Sequence, residues 1–99
     1  MEVELVYFED CPNWKVAHAR LQEALAALGR SDVQVRLRLV RDPAEAETAG
    51  MRGSPTILLD GRDLVPTDED LPVWSCRLYP VEGVLEGAPS LAALLAALR

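Results

Sequence analysis

The period of apolar and polar positions changes several times along the chain. "VELVYF", Val3 to Phe8, alternates weakly and is rich in β-formers, which predicts a buried strand. Apolar residues then recur at helical spacing at Trp14, Ala17, Leu21, Ala24 or Leu25, and Leu28, and this predicts an amphipathic helix. Pro12 fits its first position, where the missing N–H costs nothing, and Gly29 supplies a stop. "VQVRLRLV", Val33 to Val40, alternates with period two and predicts a half-buried strand. Asp42, Pro43 and Gly50 then mark the cap, first position and end of a short helix. "TILLDGRDLV" reads as two strand pieces around Asp60-Gly61, a hairpin signal. "PSLAALLAALR" closes the chain as a helix capped by Ser90. From about 66 to 88, Pro66, Pro72, Pro80, Gly83 and Gly87 predict an irregular segment, and so long a segment in a small domain is often functional when ordered.

The predicted order is β-α-β-α-β-β-α. It implies an α/β fold with a mixed central sheet and helices on both faces. The first βαβ unit is expected to be parallel and right-handed, and the hairpin to add an antiparallel pair. The 99 residues suit one domain, 1–99. At 49% hydrophobic and 26% charged, the chain has the means for a core. The formal net charge of -6 argues against nucleic acid as a partner. No apolar run approaches the roughly 18 residues of a membrane span. "MEVELVYF" carries acidic residues where a secretion signal has basic ones, so a cytoplasmic location is expected. There, two cysteines, Cys11 and Cys76, are either unrelated thiols or a reversible redox pair.

Cys11 sits where the first strand gives way to the first helix. Unpaired N–H groups and the helix dipole at such a place favour the thiolate, which is the nucleophile. Lys15 adds to this effect, while Glu9 and Asp10 oppose it. The competing reading is a buried structural cysteine. Trp14 lies on the apolar stripe and reads as packing. Cys76 is the second thiol that would clear a mixed disulfide or sulfenic acid on Cys11, if the fold brings their Cα atoms within about 7 Å. Arg77 and Tyr79 flank it, placed either to bind an anion such as a glutathione-like carboxylate or simply at the surface. His18 is not expected to share a metal with Cys11. Seven helical residues rise about 10.5 Å, against metal–ligand bonds of about 2.0–2.3 Å. The acidic run Asp68 to Asp70 reads as a solvated loop.

This order of elements, with "FEDCPNW" at the first strand–helix junction and "SPT" before the hairpin, resembles the thioredoxin-like superfamily near its glutaredoxin-sized members. The resemblance covers residues 1 to about 65 and the last helix. Trp14 stands where that family has the second cysteine of Cys-x-x-Cys, and the segment at about 66–88 has no counterpart. The resemblance implies a cis Ser54–Pro55 bond facing Cys11, with Ser54, Pro55 and Thr56 presenting an extended partner. "SCRLYP" is also similar to small bacterial thioredoxin-like proteins of the alkylmercury-lyase-like kind. The expected function is a thiol–disulfide redox protein with Cys11 as nucleophile and Cys76 as resolving thiol. Its partner would be a protein or glutathione-like thiol or disulfide, and no cofactor or metal is required. The alternatives are a non-catalytic binding or dimerisation module, and a thiol protein that handles soft metal or organomercury.

Overall fold

The structure is a computed structural model and describes residues 1–66 and 77–99. Alternation in β1 (Val3–Tyr7) sends Val3 and Leu5 to one side and Val6 to the other, and all three are fully buried. Such a strand needs cover on both faces. On one face, Val3, Leu5 and Ile57 pack against Ala17, Leu21, Ala24 and Leu25 of α1 (Asn13–Ala27) and Leu94 and Leu98 of α3 (Leu91–Leu98). On the other, Val6 and Leu58 pack with Val40, Met51, and Ala46 and Ala49 of α2 (Pro43–Ala49). The molecule is therefore an α/β fold with helices on both sides of a mixed sheet.

The sheet order is β2-β1-β3-β4, where β2 is Val35–Leu39, β3 is Thr56–Leu59 and β4 is Arg62–Asp63. β1 runs parallel to β2, from Val3 opposite Val35 to Tyr7 opposite Leu39. β3 is antiparallel to β1, and β4 to β3. Asp60 and Gly61 both take positive φ, 51° and 85°, as a tight two-residue hairpin requires. Asp42 caps α2 by accepting from Glu45 N at 2.8 Å, and Ser90 caps α3 by accepting from Ala93 N at 3.1 Å. Each cap satisfies a backbone donor that the helix itself cannot pair.

Three expectations change. Pro12 is the N-cap of α1, not its first helical residue. β2 is shorter than the apolar alternation and more open than half-buried. Arg36, Leu37 and Arg38 are exposed, because β2 is the outer strand of the sheet. The segment read as irregular holds a second, two-stranded sheet of β5 (Tyr79–Val81) and β6 (Val84–Glu86). Its turn uses Glu82 and Gly83, again at positive φ, 51° and 83°. The hairpin faces α1 through Glu86, 3.9 Å from Arg20, and Arg20 donates to Pro89 O just beyond the hairpin at 3.1 Å. Gly87 lies so close to α1 that a Cβ there would collide with the Asn13 side chain. Cys76 and the acidic run Asp68 to Asp70 lie outside the described residues. Among the described residues no helix is long and apolar enough to cross a membrane.

Candidate functional site

β1 ends at Tyr7, and a turn closed by Cys11 N on Phe8 O at 3.2 Å leads into α1. This turn aims Cys11 inward, where it is fully buried. Its Sγ lies 3.5 Å from Ser54 O, as a hydrogen-bond donor. The Ser54–Pro55 peptide is cis. Ser54 Oγ accepts from Phe8 N at 3.2 Å, which fastens this loop to the end of β1. Thr56 Oγ1 donates to Gly53 O and accepts from Arg52 N at 2.9 Å, so it braces the loop from within. Ser54, Pro55 and Thr56 are all buried.

Arg77 lies against this loop. Arg77 N donates to Ser54 O at 2.8 Å, so Cys11 and Arg77 meet on one carbonyl. The Arg77 guanidinium is buried. It pairs with both carboxylate oxygens of Asp63, at 3.1 and 2.6 Å, and donates to Val65 O at 3.0 Å. It also lies over the Tyr79 ring, 4.8 Å from its centroid. Tyr79 OH donates to Pro55 O at 2.6 Å. These contacts show how the expected site residues are engaged within the chain. The Arg77 guanidinium is engaged by Asp63 rather than lying at the surface, and Ser54 O holds two internal donors. Nothing in the sequence spacing pointed to Asp63, a hairpin residue, or to Tyr79 as a buried donor.

Burial pushes the Tyr79 phenol well above its ordinary value of 10.0, although the Arg77 charge opposes the shift. The folded state therefore resists ionising a group that the unfolded chain ionises freely. This contribution is full below about pH 10 and is lost as pH rises beyond it, by up to about 1.4 kcal/mol per pH unit. Urea unfolding between about pH 9 and 11 should show a smaller stability loss for Tyr79→Phe than for the parent chain. Parallel losses in the two chains would contradict the assignment.

Trp14 sits at the rim of the α1 stripe rather than inside it. It is half-buried and stacks on Tyr7, with ring centroids 4.2 Å apart at 24°. Lys15 Nζ lies 5.9 Å from its centroid, and His18 is tilted against it at 6.5 Å. Thus Trp14 is packing, and it shields the start of α1. Among the described residues no group of three or more His, Cys, Asp or Glu side chains is placed to hold a metal ion.

The arrangement offers one buried sulfur, a carbonyl that receives it, and a second segment delivered to that carbonyl. No protein-family model, curated protein or solved structure matches this chain.

Proposed function

We propose that the chain is a small thioredoxin-like protein of thiol–disulfide exchange, with Cys11 as nucleophile and Cys76 as resolving thiol. The strand order, the helices on both faces and the cis-proline loop opposite Cys11 support the fold assignment. One observation carries the function. Cys11 Sγ and the backbone N of Arg77, the residue that follows Cys76 in the chain, converge on Ser54 O.

In this reading the Cys11 thiolate attacks a partner disulfide. A Cys11–partner S–S bond forms, the partner S–S bond breaks, and one partner thiolate leaves. The Cys76 thiolate then attacks Cys11 Sγ, forming Cys11–Cys76 and expelling the second partner thiolate. The partner disulfide gains two electrons and the protein loses them. Two glutathione-type thiols, themselves oxidised to a disulfide, restore the reduced protein.

A non-catalytic binding module is the second reading, favoured by the complete burial of Cys11. Oxidised glutathione followed by non-reducing peptide mapping distinguishes the two. The parent chain should form a Cys11–Cys76 bridge that reopens with thiol. Cys76→Ser should instead accumulate one glutathione on Cys11, and Cys11→Ser should form no bridge. Recovery of Cys11 unbridged and unmodified at every oxidant level would rule out exchange and leave the binding module.

A further inference from the structure

We propose that the Arg77–Tyr79 segment is an internal strap that fills the seat of an extended partner beside Cys11, and that the Arg77–Asp63 pair holds it shut. The partner rests on the exchange reading, whereas the strap limits access to Cys11 whether or not exchange occurs.

The cis loop offers two consecutive carbonyls to this segment. Arg77 N takes Ser54 O and Tyr79 OH takes Pro55 O. A carbonyl oxygen has two lone pairs. At Ser54 O these are used by Arg77 N and Cys11 Sγ. The Arg77 bond is the shorter of the two, at 2.8 Å against 3.5 Å, and an incoming strand that takes the strap's place along the cis loop must displace Arg77. The segment is strand-like in its exposure, with Arg77 and Tyr79 buried and Leu78 between them 38% exposed. It is fastened at both ends. Arg77 is clamped to Asp63 and Val65 O, and Tyr79 opens β5, whose hairpin partner leads back to α1.

Cys11 is fully buried, so any reagent reaches it only through an opening. If the strap is that opening, weakening either fastening speeds access without unfolding the core. The occupant the seat fits is an extended polypeptide carrying a disulfide, because the groups it presents are backbone acceptors beside a sulfur.

The test is the rate of alkylation of Cys11 in the reduced full chain. It is read from the amino-terminal tryptic peptide, which ends at Lys15 and contains Cys11 but not Cys76. Rates are measured for the parent chain, Asp63→Asn and Tyr79→Phe, in water and at urea levels below the unfolding transition. Tyr79→Phe keeps the ring and removes the hydroxyl that donates to Pro55 O and meets the Arg77 side chain. Asp63→Asn is expected to raise the rate at least about tenfold, and Tyr79→Phe to raise it severalfold. In both, the rate should depend only weakly on urea, because a local opening exposes little surface. If Asp63→Asn fails to fold, Tyr79→Phe alone decides. An unchanged rate in the folded variants overturns the strap, as does a urea dependence equal to that of global unfolding. Cys11–Cys76 bridging is read separately, so either proposal can fail alone.

Discussion

Asp63→Ala is expected to lower the unfolding free energy by about 3–5 kcal/mol, the range for stranding one member of a buried ion pair. The Arg77 side chain is only 2% exposed and that of Asp63 15%. Removing the carboxylate takes two hydrogen-bonded acceptors from a buried guanidinium, which keeps its bond to Val65 O. The contrast lies on the same molecule. Arg20 and Glu86 approach at 3.9 Å with side chains 33% and 42% exposed, and such a pair contributes about 0–1 kcal/mol. Glu86→Ala should therefore barely move the urea midpoint. The sign of a second change is equally informative. Adding Arg77→Met to Asp63→Ala should recover part of the loss, because the uncompensated charge is gone. If Asp63→Ala costs no more than Glu86→Ala, the pair does not hold the segment.

Leu21→Ala is expected to cost about 2–5 kcal/mol. Leu21 is fully buried in α1 and belongs to the cluster that joins Val3 and Leu5 of β1 to Leu94 of α3. Its truncation leaves a void between two helices and the sheet, all of which would have to shift to fill it. Leu37→Ala is the control. Leu37 is 45% exposed on β2, and such a change usually stays within about 0.5 kcal/mol. For a domain with a total stability of about 5–15 kcal/mol, the first variant should show a clearly lower thermal midpoint and the second should not. A Leu21→Ala loss below about 1 kcal/mol would mean that this core is loosely packed.

The elements most legible in the sequence were those whose signal is local. Asp42, Pro43 and Gly50 bracket α2 at the expected positions, and Asp60-Gly61 makes the expected turn. Ser90 caps α3. The period of α1 located its buried face at Ala17, Leu21, Ala24 and Leu25, but it placed Trp14 too deep. Trp14 lies in the first turn and stacks on Tyr7, the last residue of β1, and periodicity says nothing about what stands opposite that end. The β5–β6 hairpin was hidden by Pro80 and by a Glu-Gly turn, since Glu is an unusual residue at positive φ. In hindsight Val81-Glu82-Gly83-Val84 has the form of the Asp60-Gly61 hairpin. The site was half legible. Cys11 and the Ser54–Pro55 loop are neighbours as the resemblance implied. The Arg77–Asp63–Tyr79 cluster was not legible, because it joins segments whose contact depends on the whole topology.

The exposed β2 strand has a consequence for how copies of the chain meet. Among the described residues no strand covers its outer side, and an open edge invites pairing with another copy. An antiparallel pair of β2 strands centred on Leu37 would set Arg36 of each copy opposite Arg38 of the other. Like charges directly across such a pair are repulsive. Within its own sheet, Arg38 lies 3.8 Å from Glu4, so the same residue that neutralises β1 guards the rim. The alternation that reads as a half-buried strand thus also sets like charges against the pairing of two copies along this edge.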